Sequence, residues 1–239
     1  GTAIGSAYVI YKGTGTSVAV TALTGSTTYY VAAYEYEGTV DTSGVDQGTN
    51  YKPTAATGNQ ATSAGATPPT LTSPTATLIT STTATLGANL TADGGAAITA
   101  RGTVWGTTAN PTGNAVAEGG TTTGIFTHAR TAITAGTKIY YRGYATNSAG
   151  TGYSPDGSFY TESATQASGV GFASVTASTM TVSWTRGSGD GVIVLMRSGS
   201  AVATDPTDGT YTTYTANAAF ASGTAIGSAY VIYKGTGTS

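Results

Sequence analysis

Hydrophobic and polar positions alternate with a period of two along most of this 239-residue chain. That period sends successive side chains to opposite faces of an extended strand. It runs through TSVAVTAL (16–23), TTYYVAAYEYEG (27–38), TATLGANL (83–90), ITARGTVWG (98–106) and GIFTHARTA (124–132). It continues through TKIYYRGYAT (137–146), STMTVSW (178–184), GVIVLM (191–196) and SAYVIYKG (228–235). Each segment is rich in Val, Tyr, Thr or Ile and is bounded by Gly, Ser or Asp, so each predicts a strand. No long stretch carries a 3.6-residue apolar stripe, which predicts little or no helix. Short strands at this spacing, separated by Gly- and Pro-rich turns, predict an all-β fold of β-sandwiches.

Two short polar stretches without periodicity, SAGATPPT (63–70) and TESATQ (161–166), divide the chain unequally. Residues 67–162 read as one complete sandwich, whereas 1–63 and 163–239 each read as part of one. A repeat explains the two parts. GTAIGSAYVIYKGTGTS occupies residues 1–17 and again 223–239, 222 residues later and without a mismatch. Chance does not produce such a copy, and diverged repeats would differ. Either the chain is a window on an array of identical 222-residue units, or each subunit carries a second copy of one strand for its neighbour. In both cases 163–239 holds the N-terminal part of a sandwich. Residues 1–63 hold the C-terminal part, completed by 163–239 of the preceding repeat. The chain is thus a permuted window on two sandwiches per repeat, with units following head to tail.

The segments TSTTATLGANLTADGGAAITARGTVWGTT (80–108) and AGTKIYYRGYATNSAGTGYS (135–154) resemble fibronectin type III domains strung along long secreted bacterial proteins. STMTVSWTRGSGDGVIVLMRSGSAV (178–202) and LTGSTTYYVAAYEYEG (23–38) are similar to a second, longer variant. The resemblance implies immunoglobulin-like sandwiches with Trp184 as the core Trp of the second strand. Ala88 holds that place in the other domain, where Trp105 on the next strand is expected to fill the space. It further implies that the Tyr29 hydroxyl ties a corner six residues after Leu23. Ile139, after Ile133, has no hydroxyl to do so.

Composition narrows the function. Only 8% of residues are charged and the net charge is −2, against roughly 25% charged in an ordinary soluble domain. Clustered cations for phosphate are lacking, so nucleic acid is not an expected partner. The chain has no Cys, which removes disulfides and zinc–thiolate sites. No run of eighteen apolar residues predicts a membrane span. The single His, His128, shares a strand face with Phe126 and Arg130 and reads as a half-exposed strand residue. No GxSxG, HExxH or P-loop occurs, and neither catalysis nor a cofactor is expected. Asp205 and Asp208 in ATDPTDGTY offer oxygens to calcium, but their Asp-Pro and Asp-Gly pairs suit a plain turn equally. Asp190 in RGSGDGV reads as a hairpin turn residue.

The tyrosines carry more. Alternation from 27 to 38 puts Tyr29, Val31 and Ala33 on one face, the core side by the resemblance, and Tyr30, Ala32, Tyr34 and Tyr36 on the other. Tyr140 and Tyr144 repeat part of that outward ladder. It serves either as cross-strand packing or as a contact surface for a neighbouring domain or sugar rings. Asn89-Leu90-Thr91 is the one intact N-x-S/T sequon, and abundant Ser and Thr suit a glycoprotein. These features point to a structural subunit of an extracellular head-to-tail filament or cell-surface stalk. A surface adhesin or carbohydrate-binding module, or the spacer of a large secreted enzyme, are the alternatives.

Overall fold

The structure, a computed structural model, describes residues 1–38 and 46–237. The chain divides into two compact units, Gly1–Thr67 and Pro68–Ser239. Nearly every regular element is a strand. The one helical turn among the described residues is the 3-10 segment Tyr211–Thr213.

In the first unit, β1 (Ala3–Ile4) and β2 (Ala7–Tyr8) form a small hairpin. The strand β3 (Thr28–Ala33) is followed by β4 (Tyr36–Glu37), β5 (Asn50–Tyr51) and β6 (Ala56–Ala61). β3 pairs antiparallel with β6, and β4 pairs with β5. The single strand expected over 27–38 is therefore broken at Tyr34–Glu35, because its two halves pair with two different return strands. Residues 16–23, also expected as a strand, form none here. Their backbone has no neighbouring strand to pair with among the described residues, and alternation alone does not hold an isolated strand together.

The second unit begins with a two-sheet, immunoglobulin-like sandwich. One sheet orders β11 (Gly124–Arg130), β8 (Ala84–Ala92) and β7 (Thr70–Thr77). The other runs β10 (Val116–Ala117), β9 (Ala100–Gly106), β12 (Lys138–Asn147) and β13 (Gly150–Tyr153). β14 (Gly157–Tyr160) pairs with the first half of β12 and β13 with its second half. Burial on β12 alternates without a break, with Ile139, Tyr141, Gly143, Ala145 and Asn147 turned inward. One core cluster joins Leu71, Ala88, Leu90, Ile98, Phe126 and Ala145. The other joins Ala84, Leu86, Ile133, Ile139 and Tyr141, with Trp105 and Phe159 packed against it.

Trp105 and Ala88 show how this core closes without a Trp on β8. Gly143 and Ala88 face each other so closely that a Cβ on Gly143 would stand 2.2 Å from the Ala88 Cβ. No aromatic ring fits between them. The large ring sits one strand over, where Trp105 lies opposite Tyr141 on β12.

The remaining strands form two small sheets. β15 (Ser168–Ala173) pairs with β16 (Thr181–Thr185). β17 (Val192–Met196), β19 (Ala229–Gly235) and β18 (Ala225–Ile226) form the other, with β19 in the centre. β16 and β17 belong to different sheets, so Asp190 lies on a connection between sheets and not in a hairpin turn.

Two core substitutions test this packing by chemical denaturation. Leu86→Ala removes a fully buried side chain and is expected to cost about 2–5 kcal/mol. Gly143→Val should cost roughly 1–3 kcal/mol by forcing the sheets apart. An unchanged midpoint for Gly143→Val would show that the sheets are not held at this distance.

Candidate assembly interface

The repeated seventeen residues form the same hairpin twice. In the head copy Ala3 lies opposite Tyr8 and Ile4 opposite Ala7. In the tail copy Ala225 lies opposite Tyr230 and Ile226 opposite Ala229. Gly5 and Gly227 both turn the corner at φ +59°, a conformation that glycine adopts without a Cβ penalty. Val9 donates its N–H to Thr2 O at 3.0 Å, and Val231 repeats this to Thr224 O at 3.0 Å. The Tyr11 hydroxyl accepts from Gly15 N–H at 2.5 Å, as Tyr233 accepts from Gly237 N–H at 2.7 Å. The hairpin is thus a local product of its own sequence.

The surroundings of the two copies differ completely. In the tail, β19 pairs with β17 along its length, and Val231 and Ala229 are buried. Lys234 Nζ donates to Tyr214 O at 2.6 Å and to Tyr211 O at 3.1 Å. In the head, pairing stops at Tyr8 and the apolar side chains of Ile4, Tyr8, Ile10 and Tyr11 are exposed. Ile4 is 69% exposed where Ile226 is 7% exposed. The same sequence is seated in one place and unseated in the other.

The other strands outside the complete sandwich also match parts of it. At the front, Thr80 Oγ1 accepts from Thr82 and Thr83 N–H and meets Thr83 Oγ1 at 2.7 Å. Thr176, Ser178 and Thr179 repeat that turn, with Thr176 Oγ1 meeting Thr179 Oγ1 at 2.7 Å. Bulges at Ser73 (φ +50°) and Gly169 (φ +60°) interrupt the register of the β7–β8 and β15–β16 pairs at matching places. β15 and β16 therefore correspond to β7 and β8.

At the back, the Thr161 hydroxyl donates to Thr134 O at 2.7 Å and accepts from Thr137 N–H at 3.0 Å. In the head the Thr62 hydroxyl donates to Thr24 O at 2.6 Å and accepts from Thr27 N–H at 3.1 Å. The preceding residues Ala132 and Ala22 share the left-handed conformation at φ +57° and +59°. β3 and β6 therefore correspond to the start of β12 and to β14, and β4–β5 to the β12–β13 end. The Tyr29 hydroxyl accepts from Thr24 N–H at 2.9 Å, which lowers its pKa from the ordinary phenol value. That is the corner tie expected of Tyr29. Ile139 has no hydroxyl to repeat it; the corner residue Ile133 donates its N–H to Thr82 O at 3.0 Å.

Each half lacks what the other copy of the motif has. On β15–β16 the apolar side chains of Val170, Phe172, Val175 and Met180 are exposed. Met180 is 44% exposed where its counterpart Ala84 is 2% exposed. In the head, Val31 is exposed where its counterpart Tyr141 is buried. Trp184 is largely covered: its ring lies 5.0 Å from that of Tyr233, and its Nε1–H reaches Gly237 O at 3.1 Å.

The tyrosine ladder is not one continuous row. Tyr30 projects from β3 and is the most exposed of the set, Tyr34 sits in the break, and Tyr36 lies 5.8 Å from the ring of Tyr51 on β5. Tyr140 and Tyr144 are half-buried on β12. Burial raises the Tyr144 pKa, an effect that nearby Arg130 opposes. Asn89 is half-buried in the central strand β8, between Thr72 and Ile125. Asp205 and Asp208 are exposed loop residues. No group of three or more His, Asp or Glu side chains capable of holding a metal occurs among the described residues.

Sequence reasoning missed a polar seam inside the complete sandwich. Phe126, His128 and Arg130 share one face of β11, as alternation predicts, and that face turns inward, with Phe126 and Arg130 buried and His128 half-buried. There the buried Arg130 donates from Nε to Thr103 Oγ1 at 2.8 Å and also bonds Thr103 O, while burial lowers its pKa. Arg101 is buried as well, pairs with Glu118 at 2.8 Å and lies 5.1 Å over the Phe126 ring. His128 Nδ1 is buried without a hydrogen-bond partner. Arg130 shares the alternating face of Phe126, which is the available signal for its burial; Arg101 offers none, because arginine is usually a surface residue.

Neither protein-family models nor curated proteins give a match to this sequence. Among solved structures, domains A168–A170 of titin are similar over 45% of this chain and 37% of that one, at 15% identity and a TM-score of 0.32. The all-β sandwich fold stands on the sheet order and the core described above.

The Arg101–Glu118 pair generates a pH prediction. The hydrogen bond from Arg101 holds the Glu118 carboxyl below its ordinary pKa. A depressed carboxyl contributes stability that is present above the unfolded-state value and is lost as pH falls through the folded one. Glu118→Gln should therefore cost roughly 1–3 kcal/mol at neutral pH and flatten the acid limb of the stability profile. A variant with an unchanged acid limb would assign that limb to other carboxylates.

Proposed function

We propose that this chain is a structural repeat of a head-to-tail β-sandwich filament or stalk, exposed outside the cell. The observation that carries this reading is the twofold hairpin: the same sequence turns the same corner at Ala3–Tyr8 and at Ala225–Tyr230, yet among the described residues only the tail copy is joined to a further strand. A segment that repeats without a mismatch and is unseated in one place fits a molecule whose next unit supplies the seat. The role is mechanical. Each sandwich acts as a stiff element, and Thr67-Pro68-Pro69 restricts the link because proline fixes its own φ and constrains its neighbour. Strands of eight to ten residues at roughly 3.3 Å each span about 30 Å, so two sandwiches advance the fibre by about 60 Å. Nearest-neighbour contacts then add along a quasi-one-dimensional array.

Covalent continuity is the favoured form of the array. In a continuous chain the tail copy is simply the start of the next unit, and no apolar hairpin is left over to aggregate. Electron microscopy of material from the native source is expected to show beaded rods with an axial repeat of about 60 Å, persisting at very high mass after boiling in SDS. Isolated globular particles of a single 23.5 kDa species would sink the filament reading.

A further inference from the structure

The complete sandwich shows which strands the incomplete sheets lack. There β11 fills the free side of β8, with Phe126 opposite Ala88, His128 opposite Leu86 and Arg130 opposite Ala84. β12 fills the free side of β9. In the tail, β16 and β17 are both terminal strands whose corresponding sides are unpaired among the described residues. The matching corners set the alignment of the missing pieces. Ala22 and Thr24 match Ala132 and Thr134, so residues 16–20 stand where 126–130 stand. Thr176–Thr179 match Thr80–Thr83, so residues 180–184 stand where 84–88 stand.

Building on the head-to-tail reading, we propose that residues 16–38 and 46–63 of a second copy of this repeat close the tail half-sandwich in a defined register. Thr16–Val20 pair antiparallel with Met180–Trp184, Thr16 opposite Trp184, Val18 opposite Val182 and Val20 opposite Met180. β3 of that copy lies beside β17 as β12 lies beside β9.

A separate observation gives the same register. The Trp184 indole holds Gly237 O at 3.1 Å, which brings the end of the tail copy to the Trp184 end of β16. Gly237 corresponds to Gly15 of the head copy, and the residue after Gly15 is Thr16. A chain leaving that point along β16 meets Trp184 first, then Val182 and Met180. The chemistry agrees with the geometry. Where the complete sandwich turns His128 and Arg130 inward, this register turns Val18 and Val20 inward, against Val182 and Met180. Val18 and Val20 are exposed in the head, as Met180 is in the tail. In the complete sandwich, Thr82 O and Thr80 O accept from Ile133 N–H at 3.0 Å and Glu162 N–H at 3.3 Å. Their counterparts assign Ser178 O to Leu23 N–H and Thr176 O to Ser63 N–H of the second copy. The hairpin slot on β17 poses no obstacle. The two copies of the seventeen residues are identical, so an incoming head copy replaces a tail copy contact for contact.

The chain has no cysteine, so an engineered pair reports this register cleanly. In it, Ser17 and Ser183 lie opposite each other on the outer face, and both are exposed here. Chains carrying Ser17→Cys and chains carrying Ser183→Cys, mixed in equal amounts under mild oxidation, are expected to form a reducible heterodimer as the main product. Ser183→Cys mixed with Ile125→Cys, exposed on the complete sandwich, gives the background. Heterodimer at or below that background overturns the register. A second arm removes any dependence on encounter between chains. A reordered chain, residues 64–222 followed by 1–63, contains the whole repeat and no spare hairpin. Its amides at 16–20 and 180–184 should exchange about 100-fold more slowly than in the original order; equal exchange overturns the proposal. Rods in microscopy without the cysteine link would leave the filament standing and refute this interface, and the reverse outcome would separate them the other way.

Discussion

Everything in this molecule depends on one constraint: a β-strand must have its backbone paired and one of its faces covered. A strand edge in water presents a row of N–H and C=O groups, and an uncovered sheet face presents apolar side chains. The sandwich of β7–β14 meets both demands from its own sequence. Its two sheets cover each other, and β12 pairs along one side with β9 and along the other with β14 and β13. The strands of β1–β6 and β15–β19 meet the demand only in part. Among the described residues, β15–β19 include no strands that correspond to β11 and β12, whereas β1–β6 include counterparts of β12, β13 and β14.

That division also explains what was legible in the sequence. Strands with a partner in the same unit are legible: β9, β11 and β17 fall within segments picked out by alternation, and β8, β12 and β16 overrun theirs by one or two residues. The misread segment, 16–23, has as good an alternation as any of these. Val18 and Val20 alternate because an inward face is encoded, but encoding a face does not supply the neighbouring strand. The break at Tyr34–Glu35 was invisible for a related reason. Which return strand pairs with which half of a long strand is a tertiary property. The short strands β5, β6, β13 and β14 carry Gly, Asn and Ser, so their apolar signal is weak. The Thr-based turns at 80–83 and 176–179 were legible as composition but not as geometry. The repetition of one hydroxyl lock at both places shows only in three dimensions.

The arginines inside the complete sandwich mark where the two motifs part ways. At the two inward positions after Phe126, this sandwich uses His128 and Arg130, with Thr103 accepting from the guanidinium. The corresponding head positions are Val18 and Val20. A buried guanidinium is costly unless its donors are filled, and here backbone and hydroxyl oxygens fill them. A polar seam of this kind tolerates few wrong partners, because a mismatched strand leaves a charge unpaired. The sandwich that has it is the one whose strands all come from a single continuous segment. The positions that correspond on the head and on β16 are apolar instead: Val18, Val20, Met180 and Val182.

The corner of the repeated hairpin is built from its own residues. Its turn has a glycine in the left-handed region, and the bonds from Val9 N–H to Thr2 O and from Val231 N–H to Thr224 O repeat in both copies. Seating it on β17 adds the burial of Ala229 and Val231 and the Lys234 bonds to Tyr211 and Tyr214. Only after that does the chain arrive at Trp184, where Gly237 is held. Seven residues of β19 carry the chain from the corner at Gly227 to the end of β17. The head copy turns the same corner but, among the described residues, has no such strand beside it. What separates the two copies is therefore not their sequence but their neighbour: alternation encodes which face turns inward, and only an adjacent strand covers it.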